Sequence, residues 1–199
     1  MPIDFAPNNF THHFLIAMPG LEDETFARSV VYLCEHNNRG ALGLMINKPS
    51  DLTLPNLFAK VELTLKRSDL NREPVFHGGP VQTERGFVLH EPLADPFPQT
   101  EETIYASTLK IPGGLEMTTS KDVLEALAIG TGPRRVLITL GYASWGQGQL
   151  ESEIAANSWL TVPADSQVIF ETPVAKRYER ALSLLGLHAG DLSHQVGHA

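Results

Sequence analysis

Two β-rich apolar runs, residues 29–34 and 41–46, are separated by only six residues, Glu35-His36-Asn37-Asn38-Arg39-Gly40. No other feature constrains the chain as tightly. Asn and Gly tolerate positive φ, so the six residues predict a hairpin loop between two paired strands. Residues 14–18 predict a buried strand that ends at Pro19-Gly20. Further strands are expected at residues 74–77, 86–90, 103–109, 134–141, 159–162 and 168–170. Short helices are expected at residues 23–29 and 54–61.

Three later helices carry clearer signals. Ser120 can cap a helix over residues 121–129, with Gly130-Thr131-Gly132-Pro133 as its stop. A second spans residues 149–158. The third runs over residues 173–185, with Thr172 as N-cap, Pro173 at the first helical position and Gly186 just past the end. Its apolar positions Val174, Tyr178, Ala181, Leu182 and Leu185 share one face, and Lys176, Arg177 and Arg180 read as its wet face. Strands come first and helices gather late, which points to α+β rather than a doubly wound sheet.

A chain of 199 residues fits one domain and can bury a core without metal or disulfide. The expected organisation is a loose segment at 1–10, a single domain at 11–187 and a disordered tail at 188–199. Hydrophobic residues at 42% and charged residues at 19% give a globular balance. The formal charge of −8 disfavours non-specific nucleic-acid binding. Cys34 is the one cysteine, so no intramolecular disulfide can form, which suits a reducing compartment. The start of the chain lacks signal-peptide character, and no apolar run is long enough to cross a bilayer. A cytosolic protein with no membrane contact is expected.

Several stretches invite a chemical reading. Ser144 in Gly141-Tyr142-Ala143-Ser144-Trp145-Gly146 lies between glycines, but a nucleophile elbow needs glycine where Tyr142 stands. A tight turn from strand to helix is the expected structure, with the helix start as a possible anion site. Glu151 and Glu153 stand two apart on a helix, about 200° around its axis, too divergent for a carboxylate pair. Both suit the positive end of the helix dipole. Cys34 and His36 are only two ligands, and no partner pair has zinc-site spacing, so neither a metal nor a cofactor is expected. Gly78-Gly79-Pro80 lacks the spacing of a phosphate loop and predicts close backbone packing.

The stretches residues 14–21, residues 26–34, Glu35-His36, Gly40-Ala-Leu-Gly-Leu-Met-Ile-Asn-Lys-Pro49, His77-Gly-Gly-Pro-Val81, Gly86-Phe-Val-Leu-His90 and Gly141-Tyr-Ala-Ser-Trp-Gly-Gln-Gly-Gln-Leu-Glu151 together resemble the bacterial YqgE/AlgH family. The resemblance spans about residues 14–185. It implies a single α+β domain with a small closed β-barrel or bifurcated mixed sheet flanked by helices. It implies a bacterial cytosolic protein. It carries over no catalytic residues, and one branch of the family is named as a regulator of alginate production.

A non-catalytic binding or adaptor protein with an indirect regulatory role is therefore expected. An enzyme or sensor of a small anionic ligand in a loop-lined cleft is the alternative, and a transcriptional regulator the second. His36, Asn37, Asn47, Lys48, His77, Ser144, Trp145 and Gln147 are the candidate ligand-binding residues, as each falls at or just past a strand end. In this reading Lys48 supplies positive charge and Trp145 an apolar wall. Phe97, between prolines in residues 91–99, is the candidate for a partner surface.

Overall fold

The computed structural model describes residues 8–93 and 103–193. In chain order the strands are β1 (His13–Ala17), β2 (Val30–Asn37), β3 (Gly40–Met45), β4 (Pro49–Thr53), β5 (Pro74–His77), β6 (Val81–His90), β7 (Thr108–Ile111), β8 (Leu115–Thr118), β9 (Val136–Gly146) and β10 (Trp159–Pro163). The α-helices are α1 (Leu54–Lys60), α2 (Lys121–Ile129), α3 (Gln149–Ala155), α4 (Ser166–Phe170), α5 (Arg177–Ser183) and α6 (Ala189–Ser193).

The long strand β9 is the spine of the sheet. One of its edges carries β6. Its other edge is shared: β3 pairs antiparallel with residues 143–146, and β5 pairs parallel at Thr139 and Leu140. The sheet therefore forks at the middle of β9. One wing continues through β3, β2 and β1 to β10, and the other through β6 and β8 to β7. No pairing joins β7 to β10 among the described residues, so the sheet curls into a half-barrel. Of the two expected architectures, the forked mixed sheet forms and the closed barrel does not.

Between β5 and β6 the chain passes from one edge of β9 to the other. The crossing brings two backbones together with no room for side chains. A Cβ on Gly78 would lie 2.2 Å from the Gly141 carbonyl oxygen, and one on Gly79 would lie 2.1 Å from the Tyr142 carbonyl carbon. Gly141 itself sits at φ +77°, where L residues are strained. The close packing expected at Gly78-Gly79 is thus a strand crossing.

Alternate residues feed separate cores. Inside the half-barrel, Phe14, Ile16, Tyr32, Leu44, Phe87 and Leu89 pack with Val168, Ile169, Tyr178 and Leu182 of α4 and α5. On the outside of the first wing, Leu15, Val31, Leu33, Ala143, Trp145 and Trp159 pack together with Leu150 of α3. The second wing gathers Val88 and Ile138 with Phe58 of α1 and Leu127 of α2.

Several expectations need correction. The strand expected at residues 103–109 forms at Thr108–Ile111, and the helix expected over 173–185 divides into a 3-10 turn at Val174–Lys176 and α5. Residues 168–170 are helical in α4, because the Asp165 carboxylate accepts the Gln167 N–H and starts a turn. Residues 23–29 form turns rather than a helix. β9 runs on to Gly146, so Ser144 lies inside a strand and the turn into α3 is at 147–148, with Gly148 at φ +74°. Arg177 is not on a wet face: it is 5% exposed, donates to the Ile46 and Thr172 carbonyls and stacks on Phe76. Burial lowers its pKa to about 10. Finally, the stretch expected as tail begins with α6, and Ala189 and Leu192 pack against the half-barrel core.

Candidate functional site

The eight candidate residues do not meet in one concavity. They divide among places set by strand parity. A β-bulge between Leu33 and Glu35 shifts the register, so Glu35 lies opposite Leu42 and His36 opposite Ala41. Past the bulge, Glu35 and Asn37 share a face with Leu42, Tyr142 and Ser144, whereas His36 shares the other with Ala41, Ala143 and Trp145.

The His36 face is covered by α3 and is closed. The His36 Nδ1 accepts the Phe10 N–H at 2.9 Å, so the neutral ring carries its proton on Nε2 and donates it to Glu151 Oε1 at 2.7 Å. The Phe10 ring stacks on the imidazole at 5.5 Å. The Glu151 carboxyl is held below the usual range first by backbone N–H donation at the start of α3 and then by His36. One turn position on, Glu153 Oε2 accepts both indole N–H groups, from Trp145 and from Trp159, each at 2.8 Å. Its other oxygen accepts from the Gln149 amide at 3.1 Å. Trp145 is 5% exposed and packs against Trp159 and Phe26. It is a core residue with its one donor spent, and not the free wall of a ligand site.

The opposite face is open. Glu35, Asn37, Arg39, Leu42, Tyr142 and Ser144 line a surface depression of about 480 Å³. Asn37 shapes its rim: Oδ1 accepts the Arg39 N–H at 2.8 Å, and Nδ2 donates to Glu35 at 3.1 Å. Arg39 makes no ion pair among the described residues. Ser144 is exposed, with no histidine or carboxylate hydrogen-bonded to it among the described residues. Gln147 lies in the turn before α3 and does not line the depression.

Asn47 and Lys48 lie at the far end of β3. From Leu42 to Lys48 is six residues, roughly 20 Å of extended chain. Asn47 Oδ1 accepts the Val30 N–H and its Nδ2 donates to the Arg28 carbonyl. Lys48 Nζ donates to the Ala27 carbonyl at 2.5 Å. Burial, and then neighbouring Arg28, lower the Lys48 pKa. These two residues tie down residues 27–30. His77 is exposed, and its N–H donates to the Lys48 carbonyl.

Of the eight, then, Asn37, Ser144 and Trp145 line the depression, although the Trp145 indole is turned with His36 into the closed face, and Asn47 and Lys48 form a loop anchor beside His77. Arg39 and Tyr142 are additions that the sequence reading missed. Their signal was available, since Tyr142 alternates with Ala143 and Arg39 sits in the hairpin loop. Cys34 is a buried free thiol whose pKa burial pushes up. Among the described residues no three His, Cys, Asp or Glu side chains are grouped to hold a metal. No helix among them is long and apolar enough to cross a membrane. Phe97 lies outside the described residues. Among the described residues the exposed large apolar side chains are spread along the chain: Ile129 ends α2, Ile104 precedes β7 and Leu185 follows α5.

Residues 14–190 match the family described as AlgH-like (DUF179). The chain belongs to the AlgH-like family. It is 68% identical to a UPF0301 protein of Paracidovorax citrulli over the full length of both, and 72% identical to one of Verminephrobacter eiseniae over 98% of each. The solution structure of the AlgH protein from Pseudomonas aeruginosa is similar, with a TM-score of 0.74 and 46% identity over 98% of each chain. A Corynebacterium diphtheriae protein, 20% identical, shares the fold at a TM-score of 0.68 over 88% of this chain and 86% of its own. In this AlgH-like chain the hairpin of β2 and β3 and the end of β9, two of the stretches that carried the resemblance, form both the closed face and the open depression.

Proposed function

We propose that this AlgH-like protein is a non-catalytic binding protein of the cytosol that influences regulation indirectly, through a protein partner held at the depression of Glu35, Arg39, Tyr142 and Ser144. One observation carries the reading. The histidine nearest in sequence to the depression, His36, faces away from it and has both ring nitrogens engaged, one by a backbone N–H and one by Glu151. Among the described residues, then, no general base lies within hydrogen-bond reach of Ser144, as a nucleophile would need. What the depression offers instead is a rim of short polar groups and one charge of each sign around Leu42 and Tyr142. That is a surface for recognition.

The test is capture from a bacterial lysate on immobilised protein, with mass spectrometry of the bound proteins and metabolites. Arg39→Glu and Ser144→Arg place opposite charge or bulk in the depression without touching the core. A protein captured by the wild type and lost with both variants supports the reading. Capture unchanged in both removes the depression from consideration. A second reading, a sensor of a small anionic ligand, is favoured by Arg39, which lacks an ion pair among the described residues and lies beside Asn37 and Ser144. A bound metabolite that follows the Arg39 charge, with no protein captured, would favour it. Direct DNA binding is disfavoured by the net charge of −8.

A further inference from the structure

The path of paired strands ends in β10 on one wing and in β7 on the other. β1 covers only one edge of β10. Met18 donates its N–H to the Ser158 carbonyl, and Ala164 donates its own to the His12 carbonyl. Each of these pairs continues the register in which Ala17 faces Trp159 and His13 faces Pro163. Antiparallel pairs alternate, so Leu160 and Val162 bond to β1 while the N–H and C=O groups of Trp159 and Thr161 point the other way. Those outward groups have no partner among the described residues. Pro163 occupies the next outward position, where its missing N–H leaves no gap in the pairing with β1.

Edge strands are usually guarded, because unpaired N–H and C=O groups template a further strand. β7 carries Lys110, a residue type that guards edges. β10 reads Trp-Leu-Thr-Val-Pro, with no charged residue. Leu160, on the half-barrel side, is only half-buried against the core. The surroundings of the strand are also unequal at its two ends. Where it begins, Met18, Pro19, Leu21, Asn157, Ser158 and Leu192 line a mainly apolar cavity of about 550 Å³. Where it ends, Pro163 presents an exposed apolar ring.

We propose that this edge pairs with the same edge of a second copy of this chain, antiparallel about a two-fold axis beside Leu160. In that register Trp159 stands opposite Thr161 of the second copy and Thr161 opposite its Trp159, so every outward N–H of the two residues meets a carbonyl. Leu160 faces Leu160 of the second copy in a non-hydrogen-bonded pair, where side chains come closest, and each covers the exposed part of the other. Pro163 of the second copy arrives beside Asn157 at the apolar cavity, and the symmetry repeats that contact at the other end. One strand thus carries both halves of the same contact, the ring at one end and the cavity at the other. That self-complementarity favours a second copy over an unrelated strand. β1 and β2 separate β10 from β3 and the depression, so this pairing and the proposed partner surface stand or fall independently.

The test is sedimentation of the full chain across about a thousandfold range of concentration, since mass action governs a dimer, with hydrogen exchange at the Trp159 and Thr161 amides. The mass is expected to rise from one copy to two and stop there, because a two-fold contact closes on itself. Both amides should exchange about tenfold more slowly, or slower still, where the dimer dominates. Thr161→Pro removes an outward N–H and leaves the bonds to β1 in place. It should weaken self-association about tenfold or more, as each copy loses a donor and the ring holds the edges apart. Pro163→Lys, at an exposed position, serves if that variant fails to fold, and the same loss is expected because a lysine there guards the edge. A single copy at every concentration, growth beyond two copies, amide exchange that ignores concentration, or self-association unchanged in the folded variant would each overturn the proposal.

Discussion

The two faces at the tip of β2, β3 and β9 are built from alternating residues of the same three strands, yet they differ in almost every physical respect. Ala41, Ala143 and Trp145 on one face are buried, and every polar group with them is matched: His36 to Glu151, and Trp145 and Trp159 to Glu153. On the other face Leu42 and Tyr142 are only half-buried, Ser144 is exposed, and Arg39 has no ion pair among the described residues. The lesson is that the glycine-flanked stretch around Ser144 has two jobs separated by a single residue step. The odd step locks α3 to the sheet, and the even step presents a surface.

The contrast predicts opposite responses to mutation, and Glu153 gives the largest. Glu153→Leu leaves two indole N–H groups without an acceptor in a partly buried cluster. Each orphaned donor costs roughly 1–3 kcal/mol, so a loss of roughly 2–6 kcal/mol is expected. Urea unfolding followed by tryptophan fluorescence measures it directly, since both reporters sit in the affected cluster. A loss below about 1 kcal/mol would mean that water replaces the carboxylate and that this face is not closed.

His36 comes next. His36→Leu keeps the burial but removes the acceptor for the Phe10 N–H and the donor to Glu151. A cost of about 1–2 kcal/mol is expected, from one part-buried donor left unpaired. Hydrogen exchange at the Phe10 amide should speed up well beyond the global change. Exchange that tracks global stability alone would show that this bond holds nothing locally.

A polar network on the second wing provides an internal control by pH. His90 has no exposed surface, with one ring nitrogen at the Thr118 hydroxyl and the other at the Glu91 carbonyl. Burial lowers its pKa. The unfolded chain, with an ordinary histidine pKa near 6.5, therefore binds the proton more readily than the folded one. Stability contributed by neutral His90 is fully present above about pH 6.5 and is lost as pH falls from there towards the folded pKa. His12 shifts in the same sense, so His90→Gln should flatten the acid limb only in part. An unaltered acid limb in that variant would place the acid sensitivity elsewhere.

Sequence patterns carried the local elements better than they carried the site. The hairpin of β2 and β3 was legible because two apolar runs flank a loop rich in Asn and Gly. Helix α2 was legible from its stop at Gly130, which adopts φ +86°. Ser120 was read as its cap, but its hydroxyl instead donates to Asp122 and accepts the Ser107 N–H. α4 was missed because Val168-Ile169-Phe170 has β-branched and aromatic character, while its start depends on the Asp165 side chain. The site was misjudged for a different reason. Strand ends were taken as neighbours, although the hairpin end of β3 at Gly40 and Lys48 just past its other end lie apart along the strand. The bulge after Leu33 then decides which face each hairpin residue takes, and no local pattern announces a bulge. Arg177 was read from charge alone, but three carbon–carbon bonds of stem let its head reach the Ile46 carbonyl inside.

The smallest expected effect on stability falls on the open face, and it is the most informative about function. Ser144→Ala and Arg39→Ala remove side chains that carry no side-chain hydrogen bond and no ion pair among the described residues. Changes to such surface positions usually stay within about 0.5 kcal/mol. Unfolding midpoints should therefore match the wild type, in contrast to the larger losses expected for Glu153→Leu and His36→Leu on the closed face. If the depression is a recognition surface, the same two variants should weaken partner capture, because an arginine without an intramolecular partner is free to pair across an interface. The combination of unchanged stability and weakened capture separates the two faces. Destabilisation by more than about 1 kcal/mol in either variant would show that the open face is also structural. Unchanged capture alongside unchanged stability would leave the closed face as the sole reason for the residues around Ser144.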